Sequence, residues 1–250
     1  MIAGLDPFAL LTIAVALGLG GFVKGATGAG TPLIAVPVMA AFFDVTLAIL
    51  VMVVPNFVMN VAQVWQYRAE IRPARMAVLL SIGSVPGMFA GTYLLTRAPE
   101  EVLFLGLGLL LAFYILLRLV DPKFSIAQAT ALRLSLPVGI LGGVMQGAAG
   151  TSGPLALLFL STQNLARPAF IGTISAFFLA NSVVQAPALW WEGLLTWHWV
   201  WISTLALVPV WACLPLGDRV GKRLSQEAFN RWVLILLAVL AVRLLWRGLV

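Results

Sequence analysis

The sequence predicts an all-α integral membrane protein made of two inverted repeats. Each repeat is a re-entrant or broken helix followed by three transmembrane helices, giving eight apolar stretches in all. Three observations carry this expectation. Hydrophobic residues make up 62% of the chain, charged residues only 10%, and mean hydropathy is +1.04, whereas soluble domains carry about 25% charged residues. A segment occurs twice: residues 20–33 read GGFVKGATGAGTPL and residues 142–155 read GGVMQGAAGTSGPL. Gly20/Gly142, Gly21/Gly143, Gly25/Gly147, Ala26/Ala148, Gly28/Gly150, Pro32/Pro154 and Leu33/Leu155 are identical, each pair 122 positions apart. Finally, equivalent loops of the two halves carry opposite amounts of basic charge.

A bilayer span needs about 20 mostly apolar residues. The stretches fall at 8–43, 45–66, 74–96, 101–119, 132–163, 168–190, 198–216 and 229–248. The first and fifth are too long for one span, and both contain the duplicated segment. The halves are therefore 1–122 and 123–250. Weaker echoes pair Ser84-Val85-Pro86 with Leu207-Val208-Pro209, Asn60 with Asn181 and Gln63 with Gln185.

Arg68, Arg72 and Arg75 follow the second stretch, but no basic residue follows the sixth, only WWEGLLTWHW. Arg97 alone follows the third, against Arg219, Lys222, Arg223 and Arg231 after the seventh. Under the positive-inside rule the halves then point opposite ways, which requires an odd number of crossings in each. A hairpin in each long stretch supplies it, with residues 8–23 entering and 31–43 returning. With the N-terminus outside, eleven Lys/Arg lie inside (68, 72, 75, 118, 123, 133, 167, 219, 222, 223, 231) and three outside (97, 243, 247). Eight straight spans give at best eight against six. The alternative is one tilted, kinked helix per long stretch.

The rest of the composition is bounding. No basic residue precedes the first apolar run, so no cleaved signal peptide is expected. Cys213 is the single cysteine, which excludes an intrachain disulfide. The net charge of +6 lies in short loops, where it orients the chain and does not mark a nucleic-acid partner.

Gly25, Gly28, Gly30, Gly147, Gly150 and Gly153 permit tight backbone geometry, and Pro32 and Pro154 suit the first turn of a new helix. Each segment thus reads as helix, break, helix start, a pattern that marks the binding site of secondary transporters. Non-helical backbone in a membrane must be buried by protein or line a cavity. The returning half-helix directs its unpaired N–H groups at the break, which favours an anion. Two inverted hairpins would bring the breaks together near the midplane.

Lys24 is the only ionisable residue deep in an apolar stretch, so it is a functional candidate. Facing an anion is one reading; snorkelling to an interface or capping a half-helix C-terminus is the other. Its counterpart, Gln146, is neutral. Asp6, Asp44, Glu70, Glu100, Glu101, Asp121, Glu192, Asp218 and Glu227 all lie at stretch ends or in loops, which argues against cation transport and an acidic proton relay. His198 sits between Trp197 and Trp199 in an interfacial belt, and no metal site is indicated. Asn56, Asn60 and Gln63 share one helical face, as do Asn181 and Gln185. They line a substrate path or join helices by hydrogen bonds. Gly83, Gly87 and Gly91 form a stripe for close helix packing. The substrate-binding set expected is Lys24, Gly28, Gly30, Thr31, Asn56, Asn60, Gln146, Gly150, Thr151, Ser152, Asn181 and Gln185.

With Gly21, Gly25, Gly28, Gly30 and Pro37 spelling GxxxGxxGxGxxxxxxP, and a related copy at Gly143, Gly147, Gly150 and Pro154, the chain resembles the sulfite exporter TauE/SafE family over essentially its whole length. The resemblance implies a multi-pass permease of the bacterial inner membrane, bathed in lipid, that moves sulfite, sulfonates or other small anions, usually outward and without a cofactor. A membrane enzyme would need a nucleophile, base or metal set, for which one cysteine and one histidine give little material. Neither glycine segment reads GxxxxGK[ST], so ATP drive in this chain is not expected. A fixed anion pore stays open beside alternating access.

Overall fold

The computed structural model of the chain describes residues 6–28, 30–71, 74–120, 125–221 and 226–249, with side chains at all of these except 117, 118, 120 and 226–230. Arg72, Lys123, Lys222 and Arg223, used above for orientation, lie outside the described residues, as does the Arg118 side chain. Among the described residues every regular element is helical. In order they are α1 (Pro7–Thr27), α2 (Thr31–Phe42), α3 (Val45–Tyr67), a 3₁₀ turn (Arg68–Glu70), α4 (Ala74–Arg97), α5 (Glu100–Val120), α6 (Gln128–Ala149), α7 (Gly153–Ser161), α8 (Arg167–Trp191), α9 (Trp197–Leu205), α10 (Leu207–Gly221) and α11 (Gln226–Leu249). Among the described residues seven segments are long and apolar enough to cross a membrane: Pro7–Thr27, Val45–Glu70, Ala74–Arg97, Gln128–Ala149, Arg167–Trp191, Trp197–Gly221 and Arg231–Leu249.

Both long stretches are broken, and each turns back on itself. A Cβ on Gly20 would stand 2.8 Å from the Thr31 carbonyl oxygen and 3.1 Å from Ala35 Cβ, so α2 returns along α1. A Cβ on Gly142 would stand 3.7 Å from Ser152 Cβ; a straight helix would separate two such residues by about 15 Å. The tilted single helix is thereby set aside for both. The seventh stretch remains one apolar span, Trp197–Gly221, but its helix is interrupted at Ala206. Pro209 has no N–H and its ring crowds the carbonyl four residues back, and α9 ends at that residue, Leu205.

The chain divides into two compact units that cut across the sequence halves. One comprises Met1–Pro55, Pro99–Ile115 and Leu195–Val250; the other comprises Asn56–Ala98 and Leu116–Leu194. In the first, α1 packs along α10 with glycine at the crossing. Cβ atoms on Gly21, Gly25 and Gly217 would overlap the carbonyl oxygens of Val210, Leu214 and Phe22. In the second, α6 packs along α4 in the same way: Gly143 lies on the Ser84 carbonyl, Gly147 on that of Met88, and Gly91 on that of Val144. Gly83 and Gly87 continue the contact on Leu136 and Ile140, the close packing expected of that stripe.

These contacts revise one role and one sequence pairing. Gly25 and Gly147 lie inside helices and serve packing, not the break. Gly21 and Gly143 differ by 122, but their partners Val210 and Ser84 differ by 126, as do Gly217 and Gly91. Ser84 therefore matches Val210, not Leu207. The four-residue difference is one helical turn, so the same face is presented.

In the first unit several of the polar groups that proline and helix ends leave open are met by side chains. Pro55 gives no hydrogen bond to Val51; the buried Ser203 hydroxyl donates to that carbonyl at 2.9 Å and accepts from Val54 N–H at 2.8 Å. Asp6 and Asp44 cap α1 and α3, accepting from Ala9 N–H and Leu47 N–H at 2.6 Å each. Arg247 on α11 closes the far end of α2. It donates to the Ala40 carbonyl at 2.9 Å and to the Phe43 carbonyl, over the Phe104 ring at 4.2 Å. Hydrogen bonds to a charged group are worth about 1.5–3 kcal/mol. Arg247→Ala is therefore expected to lower the thermal midpoint of the purified chain by about 5–10 °C, with Arg247→Lys recovering part. An unshifted midpoint would show that α2 is held by its other contacts.

From Thr31 to Ala41 every residue of α2 is buried, as an all-round apolar helix must be when protein surrounds it. Leu109, Phe113, Trp201, Trp232, Val239 and Trp246 are exposed, the outer dress of a chain whose solvent on that side is lipid.

Candidate functional site

Each break is built from the duplicated residues. At the first, α1 closes on Gly28 at φ 84°, whose N–H donates to the Lys24 carbonyl at 2.7 Å. Gly30 has φ 100° and precedes α2. These left-handed positions are where glycine is required. Pro32 stands in the first turn of α2, where a missing N–H costs nothing. Lys24 is 3% and Thr31 1% exposed, and the Thr31 hydroxyl has no hydrogen-bond partner. Lys24 in the last turn of α1, Gly28 and Gly30 in the turn, and Thr31 opening α2 thus flank the start of a buried helix, which concentrates N–H groups and about half a positive charge.

At the second break Gly150 has φ 69°, and its N–H donates to the Gln146 carbonyl at 2.9 Å. Gln146 binds across the turn. Its Oε1 accepts from Ser152 N–H at 3.0 Å and from the Ser152 hydroxyl at 3.1 Å. Its Nε2 donates to the Gly150 carbonyl and to Gln185 Oε1, both at 3.1 Å. Gln185 Nε2 returns a bond to the Gln146 carbonyl at 3.2 Å. Thr151 Oγ1 accepts from Gly153 N–H at 3.3 Å, and Asn181 Nδ2 reaches Ser152 Oγ at 3.5 Å. The structure therefore gathers Gln146, Gly150, Thr151, Ser152, Asn181 and Gln185 into one buried polar cluster. Asn181 Oδ1 within it has no partner.

Asn56 and Asn60 pair on their own helix: Asn60 Nδ2 donates to the Asn56 carbonyl at 2.7 Å and to Asn56 Oδ1 at 2.9 Å. Gln63, one turn on, accepts from Ser175 Oγ at 3.0 Å and ties α3 to α8. The face-sharing of these residues was readable from spacing; Ser175 was not singled out, although α8 is dense in small polar residues. Ser203 and Arg247 were missed as well. The signals available were backbone ones, the bond Pro55 cannot make and the carbonyls that end a buried half-helix.

A family model described as Sulfite exporter TauE/SafE matches residues 13–244. No curated protein and no solved structure matches the chain. The match covers both broken hairpins and nearly all of the described helices, so this multi-pass membrane protein belongs to the sulfite exporter TauE/SafE family of transporters.

Proposed function

We propose that the chain is a secondary transporter that exports small sulfur-containing anions such as sulfite or organosulfonates across a bacterial inner membrane. It works by alternating access, with the anion held at a helix break in mid-membrane and the two sequence halves inverted. The opposite basic content of equivalent loops supports the inversion. The observation that carries the anion reading is the first break. A buried lysine, a buried hydroxyl without a partner and the start of a buried helix occur together there. All of them favour negative charge. Sulfite supplies a small oxyanion with acceptor oxygens for such donors.

The test is flux in liposomes. The purified chain is expected to move sulfite saturably, with sulfoacetate as competitor; linear flux without saturation would point to a pore. Gly28→Leu forces a side chain into a left-handed turn, at a cost of about 1–2 kcal/mol, and places it at the break. At least a tenfold loss of flux (about 1.4 kcal/mol) is expected while the protein stays in the membrane. Near-normal flux would reduce the break to a packing element.

A further inference from the structure

The two breaks align residue by residue, yet their chemistry is opposite. Under the 122-residue offset Lys24 matches Gln146, Gly30 matches Ser152 and Thr31 matches Gly153. At the second break the donors opening α7 already have an acceptor in place. Gln146 Oε1 receives Ser152 N–H and the Ser152 hydroxyl, at 3.0 and 3.1 Å. The carboxamide is held in that pose from its other side by its own bonds to Gly150 and Gln185. One oxygen accepting two converging donors at a helix start is the arrangement an anion oxygen takes. Gln146 is 2% exposed and Ser152 fully buried, so this acceptor stands in a dry site where unmet donors are costly. At the first break the matching side chains do not play that part. An ammonium has no acceptor atom, glycine has no side chain, and the Thr31 hydroxyl has no partner.

We propose that Gln146 is a tethered stand-in for the anion: its side-chain oxygen fills the anion position of the second break and closes it to solute. The chain then binds one anion, at the first break, and Gln146 sets that stoichiometry as a specificity-determining residue. The assignment of the anion to the first break rests on the function proposed above; the role of Gln146 does not.

The experiment measures thermal midpoints of the purified full chain in detergent, in sodium sulfite against sodium gluconate at equal sodium. Gluconate is the bulkier anion and serves as the control for sodium and ionic strength. Gln146→Ala vacates the acceptor position, and Gln146→Ser, a milder truncation, reads the same quantity where the alanine chain does not survive purification. Both are expected to gain about 3 °C more from sulfite than the wild type does. Gln146→Glu keeps an acceptor in place and is expected to gain no more than wild type. Equal sulfite gains in wild type and truncated chains, or no gain in any, would overturn the inference. So would an equal extra gain in Gln146→Glu. A gain in the truncated chains with none in wild type would uphold Gln146 as the stand-in and instead remove the anion from the first break.

Discussion

Lys24→Glu is expected to abolish sulfite transport while leaving the chain folded, and Lys24→Gln to weaken sulfite binding about 10–100-fold, the equivalent of about 1.5–3 kcal/mol for a lost charge-assisted hydrogen bond. Lys24 lies in the last turn of α1 and is 3% exposed. A cation there is compatible with the partial negative charge of the helix end, so position alone permits a purely structural role. The two roles separate in measurement. A carboxylate at this position would sit by the start of α2, where negative charge is favoured, and would occupy the site as a permanent competitor. Lys24→Arg keeps the charge but exchanges a point cation for a planar fork, and partial activity is expected. Isothermal titration with sulfite and efflux from liposomes check all three variants. Unchanged affinity in Lys24→Gln, with a lowered thermal midpoint, would assign the ammonium to closing α1 instead.

Gly25→Val and Gly147→Val are expected to remove folded protein from the membrane altogether. A Cβ on Gly25 would overlap the Leu214 carbonyl oxygen, and one on Gly147 would stand 2.6 Å from both the Met88 carbonyl oxygen and Thr92 N. Overpacking against side chains costs about 1–3 kcal/mol. Here the obstacle is backbone, which no rotamer change relieves, so whole helices must separate along the crossing. Gly106→Ala is the control, since a Cβ there meets nothing within 4 Å. Size-exclusion profiles of the solubilised variants check this. A monodisperse peak from Gly25→Val at wild-type yield would show that the α1–α10 contact is looser than described.

Much of the fold was legible because membrane helices announce themselves by composition and the duplicated glycine segments by self-similarity. The breaks after Gly28 and Gly150 followed from glycine and proline placement. Which glycines bend and which pack did not follow, because Gly25 and Gly28 are equal as letters. Only the approach of α10 distinguishes them. The split at Ala206 was encoded in Pro209, whose crowding of Leu205 needed no tertiary information. At the candidate site, spacing placed Asn56 with Asn60 and Asn181 with Gln185. The sequence marked Gln146 as polar and neutral but not as an acceptor turned into its own helix start. That is a property of a rotamer fixed by Gln185 and Gly150, thirty-nine and four residues away.

The interleaving of the compact units has a consequence for biogenesis. The unit formed by Asn56–Ala98 and Leu116–Leu194 is complete once its last residue leaves the ribosome, and α6 finds α4 already inserted. The other unit begins with α1 and ends with α10 and α11. Its first helix therefore enters the bilayer long before the partner that covers Gly21 and Gly25 has been translated. During that interval its groove faces lipid or the insertion machinery. Closure across so long a separation is slow by nature. A ribosome that stops before Leu207 would leave α1 with its cleft open and an unpaired small-residue face, a mark by which membrane quality control could tell a truncated chain from a finished one.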